Sequence, residues 1–399
     1  MPDRIYLDHA ATTPVRPEVR DAMLSVLGEE AFGNPSSAHA FGRSARAAVE
    51  RAREQVAAAI GAEPRQVCFT SGGTEADNLA ILGAAHARRN DRGSLAGAHL
   101  VSTPTEHKAV VAALHEAGRA GAAGARVTLL PVDGNGAVDL AALEEALALP
   151  HRPTLVSVMW VNNEVGTLQP TREVAERCAA AGVPFHTDAV QAFGKVPVDL
   201  RALPWAAVSL SAHKIGGPKG VGALVVREER LFAPLVHGGS QQRGLRPGTE
   251  NVPGIVGFGR AAELAAAEQP AKAAAWRAMR DALERASVAR VPDAVVHGAG
   301  AARAPNILNV SAPGTDAGTV LTHLDLAGVA AASGSACTSG SAEPSHVLLA
   351  MGVPADLAAA GVRFSFGALS REDQVPRVAE AYAQAVAKAR QLHQALARP

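Results

Sequence analysis

From about residue 40 to residue 227, short apolar runs alternate with amphipathic helical stretches, and this alternation leaves few folds open. The periodicity predicts helices over Ser44–Ile60, Thr74–Arg88, His107–Gly118 and Asp139–Leu149. Between and after them it predicts strands over Val67–Thr70, His99–Thr103, Arg126–Leu130, Leu155–Val161, Pro184–Thr187, Ala206–Leu210 and Gly222–Val226. In the first helix Ala45, Ala48, Val49, Ala52, Val56, Ala59 and Ile60 share one face, with Glu50, Arg53 and Glu54 opposite, and Gly61 with Pro64 supplies the stop. Several of the strands are apolar on both faces, as buried parallel strands are. The expected architecture is therefore an α/β domain with a mainly parallel sheet. Sheets of that kind bind ligands beyond the carboxyl ends of their strands.

After about Val256 the pattern changes. Alanine-rich helices are predicted over Gly259–Glu268 and Ala271–Ala286, then strand-like pieces at Ala294–His297, Ile307–Val310, Gly328–Ala332 and Val362–Phe366, and a closing helix over Arg371–Leu396. This reads as a smaller α+β domain. The expected division is a large domain of residues 14–257 and a small one made of residues 1–13 and 258–399.

Composition excludes several classes. Lys and Arg total 38, as do Asp and Glu, so the net charge is zero and the basic excess of a nucleic-acid binder is missing. Apolar stretches such as Leu155–Val161 fall far short of the ~20 residues a spanning helix needs. The first residues lack the basic-then-apolar pattern of a signal peptide. Cys68, Cys178 and Cys337 are too few and too scattered for a disulfide framework or a CxxC metal site. The 14 histidines form no HExxH-type cluster, so no catalytic metal is expected. The expectation is a soluble protein of a reducing cytoplasm.

Three segments at predicted strand ends carry reactive side chains. In Thr70-Ser-Gly-Gly-Thr-Glu75 the glycines let backbone amides turn inward, Thr74 stands where it could cap the helix, and the helix dipole adds positive potential. That is an anion pocket suited to a phosphate, although an ordinary capped helix start has the same pattern. Phe185-His-Thr-Asp-Ala-Val-Gln191 puts Asp188 at the end of an apolar strand, where a carboxylate is costly unless it meets a cation. Gln191 follows closely enough to face the same ligand, and a helix-capping aspartate is the plainer alternative. Ser209-Leu-Ser-Ala-His-Lys-Ile-Gly-Gly-Pro-Lys-Gly220 places Lys214 just past a buried strand, beside Ser211 and His213. Desolvation there lowers an amine's pKa and prepares it to form a Schiff base, whereas a loop lysine in water would do neither. Taken together, a phosphate pocket, an acid for a pyridine nitrogen and a Schiff-base lysine are the three needs of pyridoxal 5'-phosphate (PLP).

With these segments in view the chain resembles the cysteine desulfurases of the NifS/IscS type, PLP-dependent enzymes of the class V aminotransferase fold (fold type I). The resemblance runs almost end to end. It takes in Tyr6-Leu-Asp-His-Ala-Ala-Thr-Thr-Pro14, Phe32-Gly-Asn-Pro-Ser36, Thr105-Glu-His-Lys108 and Trp160-Val-Asn-Asn-Glu-Val-Gly166. It continues through Arg246-Pro-Gly-Thr-Glu-Asn251, Ser333-Gly-Ser-Ala-Cys-Thr-Ser-Gly-Ser341 and Val362-Arg-Phe-Ser365. Departures are few: Pro247 stands where many relatives have Ser or Ala, and Ala312–Gly318 lacks a Glu-Gly-Glu pattern.

The resemblance implies roles by position. Lys214 would hold PLP and move protons at the substrate Cα; Asp188 would pair with the pyridine nitrogen and Gln191 with the phenolic oxygen. His107 would stack on the ring and act in proton transfer. Gly73, Thr74, Ser211 and His213 would hold the phosphate. Thr249 would reach the phosphate of a partner subunit, implying a homodimer with composite sites. Asn163, also against the cofactor, and Arg363 would clamp the α-carboxylate of L-cysteine. Cys337 would be the nucleophile, carried on a loop of the small domain. By itself a lone cysteine among serines and glycines is more simply an inert loop thiol. The implied reaction yields L-alanine and a persulfide on Cys337, passed to an iron–sulfur scaffold or a thiolation relay. A selenocysteine lyase or an aminotransferase of the same fold is the alternative. Cys68 and Cys178 read as packing residues.

Overall fold

The computed structural model describes residues 4–28, 31–89, 93–119, 123–334 and 344–396. Its largest element is a seven-stranded sheet in the order Val67–Thr70, Gly222–Val226, Ala207–Ser211, Phe185–Asp188, Leu155–Ser157, His99–Ser102, Arg126–Leu129. Only Gly222–Val226 runs against both of its neighbours; the other pairings are parallel. Both faces are buried, and neighbouring residues of one strand show it. Cys68 packs into the core under helices Gly73–His86 and Lys108–Gly118, while Phe69 packs into the core on the opposite face. Leu100 and Val101 divide the same way, as do Ala207 and Val208. That is the physical content of the non-alternating apolar runs.

A second core lies beneath a four-stranded antiparallel sheet in the order Ala332–Ser333, Gly361–Ser365, Ile307–Ser311, Val295–Val296. Phe364 meets Tyr382 of the closing helix edge-on, at 5.8 Å between ring centroids. Ile5 and Leu7 belong to this core, because strand Ile5–Tyr6 pairs in parallel with Val329–Ala330. The N-terminal segment then passes on to the carboxyl edge of the large sheet, where Thr13 Oγ1 donates to the His213 carbonyl at 2.8 Å.

The structure departs from the sequence-based expectation in three places. First, the strand expected over Leu155–Val161 ends at Ser157. The Met159 amide donates to Glu106 Oε1 at 2.8 Å and the Trp160 amide to the Asp188 carbonyl at 2.9 Å. These bonds turn the chain over the edge of the sheet. Second, the two helices expected on either side of Pro270 are one helix, Val252–Arg290. Ile255, Phe258 and Ala262 anchor its first half in the large-sheet core, and Met279 and Leu283 anchor its second half in the other core. With both halves fixed, and with Gln269 Nε2 donating to the Lys195 carbonyl at 3.1 Å, packing outweighs the lost hydrogen bond at an exposed proline. Third, the strand expected over Gly328–Ala332 divides into Val329–Ala330 and Ala332–Ser333, which serve different sheets.

Smaller differences concern helix ends. The helix expected from Ser44 begins at Ala40, with His39 Nδ1 accepting the Gly42 amide at 3.2 Å, and ends on Gly61 in the left-handed conformation. Among the described residues no helix is long and apolar enough to cross a membrane.

An interior proline costs a helix roughly 3 kcal/mol, part of which is structural relief already taken here. Pro270→Ala is therefore expected to stabilise the protein by about 1–3 kcal/mol. Denaturant unfolding measures it; a loss of stability would mean that the chain needs a break at that point.

Candidate active site

Five loops leave the carboxyl ends of the large sheet and converge on one cavity of about 570 Å³. After Thr70 comes the turn Ser71–Gly72 and helix Gly73–His86. The helix has Gly72 at its N-cap and no side-chain cap, so its first amides stay free to meet a ligand. Thr74, expected to cap it, lies instead within its first turn, because the helix begins one residue earlier. A Cβ at Gly73 would stand 2.9 Å from Val190 Cγ2, so a larger residue there would have to push that side chain aside. Glu75 closes the turn from outside, accepting from the Ser71 amide at 2.7 Å and from Arg246 Nε at 2.7 Å.

Across the cavity Ser211 ends its strand with a buried hydroxyl that has no protein partner, facing the same free amides. His213 Nδ1 lies 3.1 Å from Thr12 Oγ1, and burial, then the Lys214 charge, pulls its pKa down to about 4. Lys214 Nζ donates to the Ala10 carbonyl at 2.7 Å and the Ala11 carbonyl at 2.6 Å. Burial, with the Arg363 charge adding to it, lowers the Lys214 pKa from 10.5 to about 8, against the pull of Asp188 and Asp8. A neutral amine is thus within reach near physiological pH.

Asp188 is the last residue of its strand, and its Oδ1 accepts the Val190 amide at 2.8 Å. Burial raises its pKa, while His107, that amide and Lys214 pull it back. Asp77, buried behind it, is raised well above the carboxylate range by burial and by the Asp188 charge. His107 and Lys214 draw Asp188 back toward ionisation and no charge does the same for Asp77, so Asp77 is the more strongly raised of the two. One polar atom each of Asp77, His107 and Asp188 lies within 4.8 Å of the others. His107 caps helix Lys108–Gly118 through Nδ1, and burial lowers its pKa. Gln191 Nε2 donates to the Ala10 carbonyl at 2.8 Å, and its Oε1 is buried without a partner.

The remaining side reaches in from the second core. Arg363, 3% exposed, donates from Nη1 to the Asn163 carbonyl at 2.8 Å and from Nη2 to Asp8 Oδ1 at 2.9 Å. Its Nε and Asn163 Oδ1 are buried and unpartnered. Gly73, Thr74, His107, Asn163, Asp188, Gln191, Ser211, His213, Lys214 and Arg363 all line the cavity. Thr249 is not among the lining residues; it is exposed, just past a turn in which Gln242 and Arg243 hold left-handed backbone. Cys337 lies outside the described residues. Cys68 and Cys178 are buried free thiols whose pKa burial pushes up to about 12.

Sequence reasoning gave no role to Asp8, Ala10 or Ala11, though all three lie in a segment it singled out. Contacts spanning 355 residues leave no local spacing to read. It also passed over Asp77, for which the signal was an acid inside an apolar helix start, and Lys195. Lys195 is buried behind Lys214, donates to the Lys214 carbonyl at 2.8 Å, and is lowered by burial to about 7.

A doubly covered, mainly parallel sheet with a buried lysine, a buried acid and an anion cradle at its carboxyl edge defines the class V aminotransferase type of protein. The chain belongs to that family, whose model, "Aminotransferase class-V", matches residues 5–378, and its relatives there are cysteine desulfurases. It is 44% identical over 375 residues to "Cysteine desulfurase IscS" of Dictyoglomus turgidum, covering 94% of this chain and 92% of that one. A solved "NIFS-like protein" superposes with a TM-score of 0.87 at 34% identity, over 97% of this chain and 100% of the other. Another structure, "SspA in complex with cysteine", gives a TM-score of 0.77 at 34% identity, over 91% and 98%.

The depressed Lys214 pKa has a direct test in cofactor-free protein. Labelling of the Lys214 peptide by an amine-reactive reagent should rise with pH about a midpoint near 8. A midpoint at the ordinary lysine value of about 10.5 would show that the amine is not desolvated.

Proposed function

We propose that this protein is a PLP-dependent enzyme that converts L-cysteine to L-alanine and leaves the sulfur as a persulfide on Cys337. One observation carries the reading: a lowered-pKa lysine, a buried aspartate and an uncapped helix start share one cavity, in a chain whose relatives are desulfurases along nearly its whole length. The orphaned polar atoms of Ser211, Gln191 and Asn163 support PLP as the occupant. The Ser211 hydroxyl can donate to a phosphate, and the Gln191 and Asn163 amides stay unsatisfied until a polar group enters the cavity. Bound there, PLP supplies an electron sink for the charge left when a bond at the substrate Cα is broken.

The chain's own residues would then act as follows. The free amides at Gly73 and Thr74, with the Ser211 hydroxyl and His213, hold the phosphate dianion at the positive end of the helix. Asp188 keeps its negative charge toward the ring nitrogen, and its buried setting makes that charge act strongly. His107 would stack on the ring and hand on protons. Arg363 and Asn163 bind the α-carboxylate; Arg363 keeps its Nε–H for that purpose because Asp8 and the Asn163 carbonyl occupy its other nitrogens. Lys214, once neutral, takes the Cα proton. The Cys337 thiolate attacks the substrate sulfur, forming an S–S bond as the Cβ–S bond breaks. That electron pair stays with the substrate carbon; a proton taken up at Cβ and the return of the Cα proton from Lys214 give alanine.

The exposed Thr249, beside a strained turn held in place by the buried Gln242, supports a homodimer in which each chain completes the other's phosphate site. The persulfide would pass to a protein acceptor, an iron–sulfur scaffold or a thiolation relay. The unpaired Cys68 and Cys178 suit a reducing cytoplasm.

Purified holoenzyme given L-cysteine and a thiol reductant should release alanine and sulfide in equal amounts. Pyruvate and ammonia in place of alanine would point to β-elimination and overturn the role of Cys337. Cys337→Ala should keep the cofactor's absorbance yet form little alanine. Arg363→Ala should raise KM for L-cysteine about 10–100-fold while the cofactor still binds; an unchanged KM would remove Arg363 from the carboxylate site.

A further inference from the structure

Lys195, 5% exposed, lies against the reactive lysine but does not line its cavity. It faces a second, smaller cavity of about 50 Å³. Lys214 lines both cavities and so forms part of the wall between them. From the far side Lys195 Nζ donates to the main-chain carbonyl of Lys214 at 2.8 Å. The neighbouring peptides are tied instead to the N-terminal segment. The His213 carbonyl accepts from the Thr13 amide at 2.9 Å and from Thr13 Oγ1 at 2.8 Å. The Gly216 amide donates to Thr13 Oγ1 at 2.8 Å, and the Gly216 carbonyl accepts the Arg16 amide at 3.0 Å. Among the described residues no backbone amide donates to the Lys214 carbonyl, so that carbonyl is fixed by Lys195.

Lys195 is itself held by the long helix. Gln269 Nε2 donates to its carbonyl, and a Cβ on the preceding Gly194 would stand 3.1 Å from Ala265 Cβ. Among the described residues no carboxylate pairs with Lys195; burial and then the Lys214 charge lower its pKa. Arg16 and Lys272, which line the same small cavity, are engaged with one acid, Glu268. His9, on the remaining side, is kept neutral by burial, which with the Lys195 charge pulls its pKa down to about 4. On the side of the large cavity the Lys214 amine meets the charges of Asp188, Arg363 and Asp8, and the rings of His107 and His213.

We propose that Lys195 is the positioning residue for Lys214: it pins the peptide from which that side chain springs, as Ala10 and Ala11 pin its tip, and adds a like charge beside the amine. Two buried ammonium groups disfavour one another, so each makes the other easier to deprotonate. Without Lys195 both effects run the same way. The peptide of Lys214 loosens and admits water to the amine, a neighbouring positive charge is gone, and the ammonium form of Lys214 gains. At a pH below both values, each unit by which the Lys214 pKa rises cuts the neutral fraction about tenfold. The inference rests on the reading that Lys214 takes the Cα proton.

The experiment reads the amine and the reaction separately. In cofactor-free protein, the pH dependence of Lys214 labelling by an amine-reactive reagent gives the titration midpoint of the amine. In holoenzyme, kcat and KM for L-cysteine are followed against pH. Lys195→Met, of similar length without donor or charge, should raise the midpoint by about one unit from the wild-type value near 8. It should lower kcat about tenfold near pH 7, leave KM within about twofold, and regain most of kcat near about pH 9. Lys195→Arg keeps the donor and the charge and has the small cavity to expand into, so its midpoint should stay in place and its kcat within about threefold of wild type.

An unchanged midpoint in Lys195→Met would overturn the proposal. A loss in Lys195→Arg as large as in Lys195→Met would do the same, since it would reduce the residue to packing. So would a KM that rises in step with the fall in kcat, which would place Lys195 in the substrate cavity. If Lys195→Met does not fold, Lys195→Gln takes its place: neutral and too short to reach the carbonyl, it should raise the midpoint equally. Absence of alanine from the wild-type protein would sink the reading of the reaction, whereas the midpoints would still decide the role of Lys195.

Discussion

The Lys214 amine and the carbonyls of Ala10 and Ala11 meet across more than two hundred residues of chain, and the catalytic edge is organised around that meeting. An ammonium buried among apolar strands is costly, so it needs strong acceptors or it gives up its proton. The N-terminal segment supplies the acceptors as backbone carbonyls, which balance the amine without neutralising it as a carboxylate at that distance would. The result is a lysine poised between its two protonation states. The same segment brings Asp8 to Arg363 and Thr13 to the His213 carbonyl, so a few residues tie three parts of the site together.

Charge around that lysine is distributed in pairs. Asp188 faces His107 and Lys214, and Arg363 faces Asp8, whereas Asp77 and Glu106 have no such cation. Burial raises Glu106 to about 8, while its Oε1 accepts from both the Met159 amide and the Thr103 hydroxyl. Burial favours the protonated form of an acid that no cation compensates, and a neighbouring cation draws the other acids back toward ionisation. The charges beside each acid, more than its residue type, set these acids apart.

The two cores are held to one another by elements that enter both. The helix Val252–Arg290 packs its first half under the large sheet and its second half under the small one. Propensity argued for a break at Pro270, and tertiary contacts on both sides removed it. A cavity whose walls come from both cores, with Arg363 from one and Lys214 from the other, keeps its dimensions only if such struts are stiff.

Sequence by itself determined a sheet covered on both faces, because runs such as Gly222–Val226 carry no polar side chain. It also determined that Thr74, Asp188 and Lys214 sit at strand ends, because turn glycines and polar residues stop each apolar run. Those are local properties, carried by neighbours within a turn of chain. Tertiary structure alone decided that Ala10 and Ala11 restrain Lys214 and that Asp8 occupies Arg363. Contacts between residues far apart in sequence depend on how two cores dock, and a docking angle leaves no periodicity in the chain. Chemistry was therefore legible as a set of residue types, whereas their balance of charge and reach was written only in the packing.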